Sequence, residues 1–271
     1  MLWKPLQEKG ILIQSLYEAV WEGSNLPPQS LADLLEHFQL ATLISIKPPA
    51  TVSSHEGRKY FIPCALQFCS CTAECTTKSQ EYVKMSSPLH LRFSTQYVPP
   101  GFFTRLATAL TKESKCELLF ERGIYRDKMT FAYGEVDKID EFTIIEHTSS
   151  VQVTVVRTDY RQLHIPRFGS VCCDIMKLIQ ACFATIRQWL PLVNVEVTFF
   201  CEQCREKEYP VKNHFISIPS GSTTDSVLRC QAAQNCRPTK DQQYWMKIPN
   251  TPEVCCRLAC TCLQTYGAVS H

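Results

Sequence analysis

Cys201-Glu202-Gln203-Cys204 is the segment of this 271-residue chain whose residue types and spacing best suit chemistry. An alternating apolar run, Val193, Val195, Val197 and Phe199, leads straight into it. A strand that ends in C-x-x-C makes a tight knuckle, which aims two thiolates at one tetrahedral site. Downstream stand Cys230 and Cys236, with His214 between them and the knuckle. Zinc takes four ligands from cysteine and histidine, and these residues offer one more than it needs. The spacing is C-x2-C-x25-C-x5-C, or the same with His214 replacing one member. The second pair is wider than the usual C-x2–4-C. The competing reading is loop cysteines in a chain that holds 16 of them. The expected site is structural, about one zinc per chain. A catalytic zinc would need an open coordination position and an adjacent base, and no pattern marks one.

The other cysteines read differently. Cys69, Cys71 and Cys75 lie in a polar stretch with no matching second half nearby, as loop thiols do. Cys255, Cys256, Cys260 and Cys262 crowd the C-terminal end. S-acylation is conceivable there, but no adjacent polybasic stretch or second anchor would secure it, and the expectation is a frayed tail. Cys172, Cys173 and Cys182 fall within a helical apolar pattern, where free cysteine packs as a small hydrophobe. The phosphate-cradling, dinucleotide, zinc-protease and nucleophile-elbow signatures are missing, and the nine glycines form no cluster. Seven histidines are scattered singly. The sequence makes no positive case for an enzyme, a catalytic residue or a bound nucleotide.

Composition sets the frame for these residues. Lys plus Arg is 28 and Asp plus Glu is 26, a formal charge of +2. That balance argues against a dedicated nucleic-acid binder. The chain is 45% hydrophobic and 20% charged, which is globular usage with enough length for a core and about two domains. The N-terminus lacks a signal-peptide layout. The most apolar stretch, residues 171–190, contains Asp174, Lys177 and Arg187, so no membrane span is expected. The expected setting is the cytoplasm, with reduced thiols rather than a disulfide framework.

The elements that must position the cysteines can be read from periodicity. Residues 11–21 have helical spacing. Pro27 and Pro28 break the chain, and Ser30 is placed to cap a second helix with Asp33 at its positive end. Leu31, Leu34, Leu35 and Phe38 form the apolar stripe of that helix. Strand-like runs come next at 40–46 and 60–62. Residues 1–68 are therefore expected to form a partial winged-helix-like unit. Its second helix carries Asp33, Glu36 and His37 and no Lys or Arg, a poor tool for phosphate contacts. Residues 69–87 read as a linker. Residues 88–200 read as an α+β unit, an antiparallel sheet with two packed helices. Its strands are expected at 89–93, 118–125, 128–135, 142–146, 151–157 and 193–200, and its helices after Pro99-Pro100-Gly101 and at 171–190. Phe102, Phe103 and Phe131 recur regularly, so the core is their default place. Residues 201–249 form the Cys-rich, zinc-ribbon-like module, with Tyr244 and Trp245 packing back on the preceding unit, and residues 250–271 form the Cys-rich tail.

Some of these residues carry a resemblance. Leu34-Leu35-Glu36-His37-Phe38-Gln39-Leu40, with Tyr60-Phe61-Ile62-Pro63-Cys64-Ala65-Leu66, resembles the end of the first half of a COR domain. COR is the "C-terminal of Roc" module of Roco-family proteins, which include the leucine-rich-repeat kinases. Leu89-His90-Leu91-Arg92-Phe93, then Tyr97-Val98-Pro99-Pro100-Gly101-Phe102-Phe103-Thr104-Arg105-Leu106, is similar to the opening of its second half. Gly123-Ile124-Tyr125, the strands after it, the long helix and the knuckle at Cys201 and Cys204 keep that half's order. The likeness spans roughly residues 10 to 205, with Pro99-Pro100-Gly101-Phe102-Phe103 its most specific part. It implies a non-catalytic interaction and dimerisation scaffold that couples a Roco GTPase to signalling, with a second copy or a GTPase domain as partner. The family's Roc GTPase domain has no counterpart among these 271 residues, so nucleotide binding does not carry over. The expectation is a fragment of a larger GTPase or a stand-alone module. The alternative is a zinc-stabilised protein-binding adaptor.

Overall fold

A computed structural model describes residues 3–25, 27–44, 58–70, 84–134, 140–158, 168–200, 215–217, 239 and 241–246. The fold is α+β, with helices and two antiparallel sheets.

The N-terminal unit runs α1 (Lys4–Lys9), β1 (Ile11–Ile13), α2 (Gln14–Val20), α3 (Pro28–His37), β2 (Thr42–Ile44) and β3 (Lys59–Phe61). Its three strands pair antiparallel in the order β1-β3-β2. The expected helix over 11–21 therefore begins only at Gln14. Ile11–Ile13 is extended because it pairs with β3, and Ile11 opposes Phe61. Gly10 makes the turn between α1 and β1 at φ +64, and a Cβ there would lie 3.0 Å from the Ile62 carbonyl. Ser30 does not cap α3. That helix starts at Pro28, whose fixed φ and missing donor suit the first helical position.

Among the described residues the larger sheet holds eight strands, all antiparallel. They are β4 (Lys84–Met85), β5 (Leu89–Phe93), β6 (Cys116–Leu118), β7 (Lys128–Tyr133), β8 (Asp140–Glu146), β9 (Ser150–Arg157), β10 (Val195–Phe200) and β11 (Phe215–Ser217). The order is β11-β10-β5-β9-β8-β7-β6, with β4 on β9. Helices α4 (Phe102–Lys112) and α5 (Phe168–Ile186) carry the chain between separated strands. The strand expected at 118–125 stops at Leu118. A short 3-10 turn, Phe120–Arg122, and Gly123 at φ +72 end it.

Alternation fixes the packed face. Leu91 opposes Val151, Leu89 opposes Val153, Val153 opposes Ile144, and Phe142 opposes both Val155 and Phe131. All are buried. The Phe131 and Phe142 rings stack at 5.2 Å. Each such side chain contributes about 1.5–3 kcal/mol on burial. Helix α4 buries Phe102, Phe103, Leu106 and Leu110 on this face and meets α5 through Phe102 and Phe183, 5.5 Å apart. Helix α5 buries Val171, Cys172, Cys173, Ile175, Ile179, Cys182 and Ile186. By length and composition α5 is apolar enough to cross a membrane, and here its apolar side is part of the core. A second, smaller core lies under α3 and holds Leu16, Tyr17, Ala32, Ala41 and Tyr60.

Candidate functional site

Cys201, Cys204, His214, Cys230 and Cys236 all lie outside the described residues, as do the tail cysteines. What is described is the frame around them. Strands β10 and β11 pair with Phe200 opposite Phe215, so Cys201 directly follows and His214 directly precedes a paired position. Among the described residues, no group of three or more His, Cys, Asp or Glu side chains is placed to hold a metal.

The described thiols have been shaped by burial. Desolvation raises the pKa of Cys173 to about 11 and of Cys182 to about 12, and pushes Cys172 higher still. A thiol held protonated is a poor nucleophile and a poor ligand. These three are packing groups, as their helical spacing implies.

The second site lies at the seam between the two units. Helix α3 turns Ala32 and Leu35 into the small core, where Gln29 also donates to the Tyr60 hydroxyl at 2.9 Å. Leu34 and Phe38, one turn apart, lie at the edge of that face. They are 45% and 41% exposed. The stripe expected to be buried is thus split, with half of it left at the surface. Phe38 meets Trp189, just beyond α5, with ring centroids 5.1 Å apart, and His37 meets the same ring edge-on at 5.4 Å. Leu192, three residues further on, is 93% exposed.

The seam itself is held closed. Lys112 of α4 and Glu36 of α3 approach to 3.2 Å. Phe61 and Leu66 belong to the larger core, and Phe61 meets Phe120 edge-on at 6.2 Å. The Asp127 carboxylate accepts from the Cys69 amide at 2.7 Å, and the Arg126 amide donates to the Gln67 carbonyl at 2.8 Å. The Arg126 guanidinium stands 4.8 Å from the Phe68 ring centre. The exposed pair at the seam is worth little alone, whereas burial of Phe61 and Leu66 contributes several times more. The apolar surface therefore sits beside a packed junction. It was missed in the sequence because helical spacing shows that a stripe exists, not which part of it a neighbour covers.

The chain matches no known family model and no curated protein.

Proposed function

We propose that this chain is a non-catalytic interaction scaffold that pairs with a second copy of itself through the surface formed by Leu34, Phe38, Trp189 and Leu192. The observation that carries the reading is the exposure of Leu34, Phe38 and Leu192 beside a packed junction. Apolar patches of that kind mark protein contacts. A net charge of +2 leaves little repulsion between copies.

The reading agrees with the role that the COR resemblance implies, and a GTPase domain is the other occupant that resemblance suggests. The order α1-β1-α2-α3-β2-β3, with a β1-β3-β2 sheet, supports the winged-helix-like reading of the first unit. The acidic, cation-free α3 favours protein over nucleic acid as its partner. Cys64, Cys69, Cys116, Cys172, Cys173 and Cys182 are not joined in disulfides, which suits a cytoplasmic protein. We read α5 as a core helix rather than a membrane span, since its apolar face packs on the sheet.

Sedimentation should show concentration-dependent dimers for the wild type. Leu34→Ser with Phe38→Ser should weaken dimerisation at least about tenfold, the loss of ~1.4 kcal/mol or more, with far-UV circular dichroism unchanged. A wild type that stays monomeric at high concentration overturns self-association, and binding of an isolated Roc-type GTPase to the same surface would then point to the other occupant.

The second reading, a zinc-stabilised adaptor, rests on β10 running into Cys201 and on His214 abutting β11. Metal analysis after refolding with zinc should find about one zinc per chain. Cys201→Ser with Cys204→Ser should abolish it. Zinc-free wild type after that treatment excludes the module.

A further inference from the structure

A short segment near the C-terminal end docks on α5 far from its neighbours in sequence. It comprises Thr239 and the turn leading to α6 (Gln243–Met246). Trp245 is 2% exposed, and its indole Nε1 donates to the Ser87 carbonyl at 2.8 Å. The Tyr244 ring meets Phe168, the first residue of α5, edge-on at 4.9 Å. The Cys173 thiol donates to the Tyr244 carbonyl at 3.8 Å. Gln242 donates through Nε2 to the Phe200 carbonyl at 3.1 Å. Thr239 and Gln242 brace the turn, because the Thr239 amide donates to Gln242 Oε1 and the Gln242 amide to Thr239 Oγ1.

A four-residue helix does not hold itself together in water. Docking is what orders this one. The Ser87 and Phe200 carbonyls accept from the segment and the Cys173 thiol donates to it, so these contacts read a buried indole and a helical turn.

We propose that the groove between the start of α5 and the β4–β5 connection is a binding site for a short tryptophan-bearing helical segment, occupied in cis by Thr239 and residues 241–246, so that a protein partner presenting such a segment docks by displacing it. The inference goes beyond the seam surface and stands whether or not the chain dimerises. A tethered segment competes at an effective concentration in the millimolar range, so binding in trans is suppressed until the latch is weakened.

The test uses a capped, fluorescent peptide of residues 239–246 and the full chain, read by anisotropy. Trp245→Ala empties the groove, and Thr239→Ala with Gln242→Ala loosens the latch while keeping its tryptophan. The peptide should bind the Trp245→Ala chain at least tenfold tighter than wild type, and the double variant with intermediate affinity. A peptide whose tryptophan is alanine should not bind. Native thiol labelling of Cys173 should be faster in both variants and slow again when peptide is added. Equal affinity for all three chains overturns the proposal, as does no binding to variants that keep wild-type circular dichroism. If Trp245→Ala does not fold, the double variant decides: tighter peptide binding supports the groove, and unchanged binding rejects it.

Discussion

Replacing Arg157 by alanine is expected to cost about 3–5 kcal/mol of folding stability, because it strands a carboxylate in the core. Arg157 and Asp140 oppose each other at the ends of β9 and β8. The guanidinium donates through Nε and Nη2 to the two oxygens of Asp140, each at 2.7 Å. Their side chains are only 2% and 5% exposed. Such a pair gains little over well-packed apolar residues, since desolvating two charges offsets their attraction. Losing one partner is what costs. Asp140→Ala should therefore destabilise by a similar amount, and Asp140→Val with Arg157→Met should recover most of the loss. Arg157→Lys should not substitute, because an ammonium lacks the two-pronged fork. Urea unfolding of the four variants measures this, and additive losses in the double variant would contradict it. The consequence reaches beyond stability. Arg157 ends β9, and its guanidinium lies 5.5 Å from the ring of Phe168, where α5 begins. The pair thus fixes the start of the helix that carries the latch groove at one end and leads to Trp189 at the other. Arg157→Ala should loosen both surfaces even where the sheet survives.

The sheet was legible because its strands announce themselves. Met129 and Phe131, or Val151, Val153 and Val155, alternate with polar neighbours, and a buried face allows only one register. Helix α4 and most of α5 were legible for the corresponding helical reason. Trp245 is buried in the larger core, with its indole on the Ser87 carbonyl; its size marks it for burial, and the partner surface is not readable from the polar stretch around it. One failure has a distant cause. Ile11–Ile13 continues the helical spacing of residues 14–21, yet β3, nearly fifty residues later, draws it into a sheet. Local pattern cannot report a partner that distant.

The sites show the same division. The packing role of Cys172, Cys173 and Cys182 came directly from their positions on a helix, and burial gives it a chemical consequence in their raised pKa values. The seam surface did not, because Leu34 and Phe38 differ from Leu35 only in which neighbour reaches them.

His90 should cost the protein stability as the pH falls from 7 to 5. The alternation that buries Leu89 and Leu91 places His90 on the other face of β5, opposite Gln152 on one side and Thr198 on the other. It is 1% exposed, with the Phe200 ring 4.3 Å away edge-on. Burial, and then the nearby charges of His147 and Arg92, lower its pKa to about 3 from an ordinary 6.5. Between those values the unfolded chain binds a proton that the native chain refuses. Stability therefore falls as pH drops through this window, by about 1.4 kcal/mol per unit. At pH 5 the protein should be about 2 kcal/mol less stable than at pH 7 from this one ring. His90→Leu should remove that part of the slope, read as the change in urea midpoint between the two pH values. Glu146 works in the opposite sense, since burial raises its carboxyl pKa and the native state then takes up a proton more readily than the unfolded chain. It is present in both proteins, so the difference between their slopes isolates His90. Equal slopes would mean that the ring is protonated in the native state and that the face behind β5 admits water. Unequal slopes would mark that face as dry, a second packed surface on a sheet whose helices cover the first.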